Sequence, residues 1–304
     1  MNLSDLKNQF LEYLEIEKNR SPKTVENYNH YLNRFILFSK AKAPSDIDLE
    51  LVRKFRIHLN RFADESGNPL KKVTQNYHII ALRAFLKYMA KRDVKTLTAE
   101  KVELAKQEDR EVTFLESHEL DRLLNSPEGT SLSGLRDKAI LETLFSTGLR
   151  VSELCSLNRD EVDLQRGEFG VRGKGSKIRA VFLSDTAIKS IKNYIDKRVD
   201  VDKALFVRIP PDEKFERFEK LRLTPRSIQR IVKKHAIKAG IIGKKVTSHT
   251  LRHSFATDLL RNGADIRSVQ SLLGHASVTT TQIYTHVTDK QLRETHKKYH
   301  SKQK

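Results

Sequence analysis

The sequence predicts a mainly α-helical protein of two domains: an all-helical bundle, followed by an α+β domain with a small antiparallel sheet. Three observations predict this. Apolar residues recur at helical spacing through the first hundred positions, one later stretch has strand-and-turn chemistry, and a charged segment with few large apolar side chains lies between two helical regions.

Four helical stripes fill the first region. Leu3, Leu6, Phe10 and Leu14 make the first; Val25, Tyr28, Leu32, Phe35 and Phe38 make the second, opened by Ser21 as N-cap and Pro22 as first helical residue. Leu51, Phe55, Leu59 and Phe62 form the third, which stops at SGNP, and Val73, Tyr77, Ile80, Ala84 and Tyr88 form the fourth. The segment AKQEDREV is expected to contain the linker, so the domains are placed at 1–106 and 112–304, joined by 107–111. Thr113 and Glu116 have capping-box spacing ahead of the next apolar run. Within the second domain EFGVR and IRAVFL flank Gly-Lys-Gly-Ser, a hairpin with lysine at its tip. Helices resume with Ile188, Ile191, Ile195 and Val199, and again with Ile228, Ile231 and Val232.

Charge narrows the partner. Lys and Arg number 57 against 39 Asp and Glu, a formal charge of +18, and both halves are basic: residues 1–106 carry 20 basic and 13 acidic side chains. Such an excess suits a polyanion, because neutralising phosphates releases counterions. Nucleic acid is the expected partner, although ribosome-associated and membrane-surface proteins share this balance. Cys155 is the single cysteine, which excludes an intramolecular disulfide and a cysteine zinc cluster and fits a reducing cytoplasm. No signal-peptide core is present, and no apolar run approaches the roughly 20 residues of a membrane helix.

Small motifs are ambiguous alone. His249-Thr-Leu-Arg252 is H-x-x-R, but so is His58-Leu-Asn-Arg61; Gly148-Leu-Arg150 is repeated as Gly134-Leu-Arg136. Context separates the copies: His58 falls on an expected solvated helix face, and Arg136, followed by Asp137, looks like an ordinary surface charge. Arg150 instead follows an apolar helix and opens another, where backbone N–H groups favour an anion and a guanidinium can meet phosphate bidentately. Glu153, one turn on, could instead neutralise it as a plain ion pair. His249 and Arg252 share a helix face begun by Thr247 or Ser248, with His253 nearby as an alternative. Asp265 is the expected cap of the next helix, and Gly274 closes it just before His275.

Two arginines, two histidines, a hairpin lysine and Tyr284 suffice to cut a phosphodiester without metal. Arg150 and Arg252 would stabilise the extra negative charge of the transition state. Lys174 could protonate the departing 5'-oxygen, and Tyr284 needs cationic neighbours and a base such as His249 to react as phenolate. A metal-dependent route reads poorly, since residues 247–287 contain only Asp258 and Asp265 as carboxylates, both explicable on helix surfaces.

In that order TGLRVSEL, RGKGSKIR, HTLRHSFATDLL and LLGHASVTTTQIYTHV resemble the tyrosine recombinases, and among them the compact Xer-type members. The resemblance covers nearly the whole chain. It implies Tyr284 as nucleophile, Arg150 and Arg252 as phosphate clamps, His249 as acid/base, His275 as a phosphate-binding partner and Lys174 as general acid. It further implies a core-binding domain and a catalytic domain forming a C-shaped clamp on double-stranded DNA, and cutting and rejoining through a 3'-phosphotyrosine bond in a homotetramer or with a second recombinase. Neither metal nor nucleotide cofactor is implied. Chromosome-dimer resolution and mobile-element integration or excision both fit, as do two rival readings: a monomeric topoisomerase-like enzyme and a non-catalytic DNA-architectural protein. Lys23, Lys71, Lys72, Arg83 and Lys87 in the first domain, and Arg226, Arg230, Lys244 and Lys245 in the second, are candidate DNA-phosphate contacts or plain solvated charges. The terminal DKQLRETHKKYHSKQK resembles the tail that family members lend to a neighbour, and reads equally as a frayed basic tail. Three departures stand out: Phe182 where the family often has proline, a long IPPDEKFERFEKLRLTP connection, and Asp258 in a helix position often held by another polar residue.

Overall fold

The computed structural model describes residues 2–64, 67–106, 113–173, 178–210 and 221–274. The chain forms two compact units, Met1–Arg110 and Glu111–Lys304. The expected linker, 107–111, lies outside the described residues.

Unit one is helical: α1 (Leu3–Ile16), α2 (Pro22–Ser39), α3 (Leu49–Arg61) and α4 (Lys72–Ala90). The first stripe is buried as expected, and Ser21 caps α2 by accepting from the Thr24 N–H. Phe10, Phe35, Phe55 and Phe85 are fully buried, each worth about 1.5–3 kcal/mol over exposure. The fourth stripe was misplaced. Of the five residues expected to face the core of α4, only Tyr88 is buried, whereas His78, Ile79, Leu82, Phe85, Leu86 and Met89 are. The reason is position: α4 packs against α1, α2 and α3 together, so its burial spreads beyond one stripe and no single period marks it. His58 is half-buried and stacks on Phe38, ring centroids 4.6 Å apart, so the solvated face expected for it is corrected.

Unit two contains α5 (Ser117–Leu124), α6 (Leu132–Thr147), α7 (Val151–Ser156), β1 (Glu168–Arg172), β2 (Ile178–Phe182), α8 (Asp185–Ile195), α9 (Pro225–Lys238), α10 (Ser248–Arg261) and α11 (Ile266–Leu273). The strands pair antiparallel from Glu168↔Phe182 to Arg172↔Ile178, within the flanks expected of the hairpin. β2 runs through Phe182, and Ser184 caps α8 two residues later. α6 is the central helix, touching α5, α8, α9, α10 and β2, with Ala139–Leu144 buried.

Several local expectations are corrected by packing. α5 begins three positions later than a Thr113–Glu116 box requires: Glu116 is the N-cap, and its N–H donates to Glu119 at 2.9 Å. Val199 is 79% exposed, because α8 ends at Ile195 and Arg198 turns inward onto Asp200. Arg136 is no surface charge. It lies 2.6 Å from the buried Asp137, whose other oxygen accepts from His235 Nε2 at 3.0 Å, while His235 Nδ1 sits 3.0 Å from Ser126 Oγ. That network ties α6 to α9 and to the end of α5.

Candidate active site

Arg150 owes its place to the end of α6. Gly148 adopts φ +59°, its N–H returns to the Leu144 carbonyl, and the fully buried Leu149 plugs the turn. A side chain at 148 would suffer twice, since a Cβ would stand 2.5 Å from Phe255 Cδ1 in a backbone region that disfavours L-residues. The chain therefore re-enters helix at once, with Arg150 as the N-cap of α7.

Glu153 holds that arginine at two points. It accepts from the Arg150 backbone N–H at 2.8 Å and from Nη1 at 2.9 Å. The ion pair left open by the sequence thus exists, but the carboxylate is shared: Arg179 of β2 donates to both oxygens, at 3.1 and 2.9 Å. Burial works to raise the Glu153 carboxyl, but hydrogen bonds from Arg179 and the Arg150 backbone outweigh it and hold the group below the usual range. Two guanidiniums around one carboxylate leave a net positive charge, and Arg150 remains 34% exposed to meet a ligand.

Arg252 reaches the same place from α10. Thr247 caps that helix and Leu251 anchors it, so residue 252, only 4% exposed, donates to the carbonyl of Gly148 and to that of Leu273 at 2.6 Å. The last turn of α11 is in fact met by three arginines. Arg179 Nε donates to Leu272 O at 3.1 Å, Arg252 to Leu273 O, and Arg150 Nη2 reaches Gly274 O at 3.5 Å. Helix C-terminal carbonyls lack intrahelical donors and carry partial negative charge, so cations belong there. Gly274 (φ +64°) is the α11 cap, and Asp265 caps the other end as expected.

His249 lies exposed at the start of α10. Partial burial and then the charges of Arg252 and Arg150 lower its pKa, which leaves it neutral and able to take a proton at neutral pH. His253 is pushed down to about 4, chiefly by burial, and points away from a role as a charged group.

Arg150, His249 and Arg252 are thereby brought together. Lys174, His275 and Tyr284 lie outside the described residues, as do part of the long connection and the terminal tail. Among the nine candidate DNA contacts, Lys23, Lys71, Lys72, Lys87, Arg226, Arg230 and Lys245 are exposed and Arg83 and Lys244 are half-buried. Lys23 pairs with Glu26 at 2.7 Å, Lys87 with Glu100 at 3.3 Å and Lys244 with Glu119 at 2.6 Å. Sequence reasoning missed Arg179. Its signal was alternation: it shares a strand face with the buried Val181, and an inward arginine demands a buried carboxylate. Among the described residues no three His, Cys, Asp or Glu side chains gather in a way that could hold a metal ion, and no helix is long and apolar enough to cross a membrane.

Residues 113–291 match the phage integrase family, and residues 8–93 match the N-terminal SAM-like domain of phage integrases. The chain is 37% identical over 296 residues to a tyrosine recombinase XerC of Pelobacter propionicus, covering 96% of this chain and 94% of that one. It is also 37% identical over 301 residues to a tyrosine recombinase XerD of Listeria innocua, covering 98% and 99%. A solved structure of the XerH site-specific recombinase bound to its palindromic difH substrate after cleavage superposes with a TM-score of 0.70 at 25% identity, over 97% of this chain and 85% of that one. The chain belongs to the phage integrase family and is a site-specific DNA recombinase of the tyrosine type.

Proposed function

We propose that this chain exchanges DNA strands through Tyr284. Its hydroxyl oxygen attacks the scissile phosphorus, the P–O5' bond breaks and a 3'-phosphotyrosine bond forms. His249 takes the phenolic proton and Lys174 delivers one to the departing 5'-oxygen; a 5'-hydroxyl of the partner strand then attacks phosphorus and releases Tyr284. Bond energy is kept in the phosphotyrosine, so the rejoining step needs no external energy source. Arg150 and Arg252, with His275, bind the nonbridging oxygens, where negative charge grows in the transition state.

The observation that carries this reading is the meeting of Arg150 and Arg252 at the C-terminal turn of α11, one residue before His275, with the charges of both acting on His249. Tyr284 follows ten residues after Gly274, inside the stretch that matches the family. Both basic units contribute to gripping duplex DNA, with Lys71, Lys72, Arg226, Arg230 and Lys245 as exposed cations and Lys23 and Lys87 exposed but paired with carboxylates. The complex on DNA is a tetramer, of this chain alone or with a second recombinase, acting in the cytoplasm on chromosome dimers or on a mobile element.

Trapping tests it. Covalent protein–DNA adducts isolated from cells identify the target duplex, and nicked copies of that duplex are then incubated with native protein and with Tyr284→Phe. Native protein is expected to give a denaturant-resistant adduct and the variant none. An adduct with Tyr284→Phe overturns the nucleophile assignment, and supercoil relaxation with no joining between two DNA partners replaces recombination by monomeric nicking and resealing.

A further inference from the structure

Arg179 stands at an inward register of β2, opposite Val171, with 12% of its side chain exposed. A guanidinium so placed loses hydration that only satisfied donors make good. All three of its nitrogens are satisfied. Nη1 and Nη2 form a fork on Glu153, and Nε donates to Leu272 O. The aliphatic stem closes the arrangement, because a Cβ on Gly274 would come within 2.9 Å of Arg179 Cδ.

Each oxygen of Glu153 therefore carries one bond from Arg150 and one from Arg179. Two consequences follow from the electrostatics. The carboxylate cannot rotate toward either arginine without breaking the fork to the other, so the Arg150 guanidinium is held at one distance from the α11 turn. Its negative charge is also divided between two cations, so Arg150 keeps part of its charge for an incoming phosphate. Were Glu153 left to Arg150 alone, the pair would be internally neutral.

We infer that Arg179 is a positioning residue for DNA cleavage, acting through Glu153 on Arg150 and through the Leu272 carbonyl on the end of α11, without touching the phosphate itself. This rests on the proposed role of Arg150 as phosphate clamp. It also assigns the hairpin a second duty: the strand that follows the lysine loop is bolted to the clamp, so the two cationic elements share one mount.

The test compares two substrates. Native protein, Arg179→Ala, Arg179→Lys and Arg150→Ala are assayed for single-turnover adduct formation on the trapped target duplex. A second duplex carries methylphosphonate, which lacks the nonbridging negative charge, at the scissile position. DNA affinity and thermal unfolding are measured alongside. Arg179→Ala is expected to slow cleavage of the phosphodiester about 100-fold, the scale of a misplaced catalytic group, with DNA affinity unchanged. On methylphosphonate its rate is expected to converge on that of native protein, because the clamp's charge is no longer needed. Arg179→Lys keeps the charge but not the fork and is expected to fall between; it carries the same comparison if the alanine variant does not fold. Native-like cleavage of the phosphodiester by Arg179→Ala, or an equal defect on both duplexes, overturns the inference, the second by reducing Arg179 to structural support. An Arg150→Ala enzyme that cleaves the phosphodiester at the native rate overturns instead the clamp reading beneath it.

Discussion

Arg252 donates to the carbonyl of Gly148, a residue 104 positions earlier, and so fastens α10 to the turn that presents Arg150. The two arginines are thus parts of one mount. Gly148 is its pivot, since it supplies the acceptor, the left-handed turn and the space for Phe255.

Replacing that pivot is expected to cost both strain and overlap. Gly148→Ala places a Cβ in a left-handed backbone and 2.5 Å from Phe255, and is expected to lower stability by about 2–4 kcal/mol. Gly240 shares the left-handed conformation but has no atom within 4 Å, so Gly240→Ala should lose only the backbone part, about 1–2 kcal/mol. Urea unfolding of both variants checks the difference; equal losses would sink the close-approach argument.

The two clamp residues should fail differently. Arg150 is a third exposed, so Arg150→Ala is expected to slow adduct formation by about 100- to 1000-fold with little change in unfolding. Arg252 is buried and its loss leaves the Gly148 and Leu273 carbonyls short of a donor, so Arg252→Ala should also lower stability by about 1–3 kcal/mol. Rate and unfolding measured together separate the two behaviours.

A pH profile should expose His249. Partial desolvation and two neighbouring guanidiniums depress its pKa, so the neutral, proton-accepting form persists below the ordinary histidine range. Cleavage is expected to stay level as pH falls past 6.5 and to decline only below it, and His249→Gln should remove that acid limb. Single-turnover rates over roughly pH 5 to 8 decide; a limb that remains in the variant belongs to another group.

Asp137 makes a stability prediction with a definite sign. Burial pushes its carboxyl up, yet His235 and Arg136 overcome that and hold it below 3.8. A depressed folded pKa contributes stability that is present above the unfolded value and disappears as pH falls through the folded one. Asp137→Asn is therefore expected to cost about 3 kcal/mol at neutral pH, with the gap to native protein shrinking below about pH 4. Thermal melts at several pH values test this, and a gap independent of pH would contradict it.

Local chemistry was legible because it acts over a few residues. Ser21 before Pro22, Thr247 and Asp265 each open a helix and Gly274 closes one, where backbone groups lack partners, and the hairpin flanks alternate as strands must. The same reasoning failed where an element is surrounded. α4 buries more than one face, so its stripe misled; Arg136 looked solvated because the Val207 carbonyl it meets and the His235 that shares Asp137 lie far along the chain, and His58 because its ring partner Phe38 sits on another helix.

By itself the sequence determined the helical class, the β1–β2 hairpin, the basic charge that asks for a polyanion, and an ordered set of motifs that names a chemistry. Only the tertiary structure decided that Glu153 serves two arginines and that the end of α11 is where three guanidiniums converge. The physical reason is range. Caps and turns are set by neighbours within one helical turn, whereas the charge balance at Arg150 depends on residues 26, 93 and 124 positions apart along the chain, which only packing brings within reach.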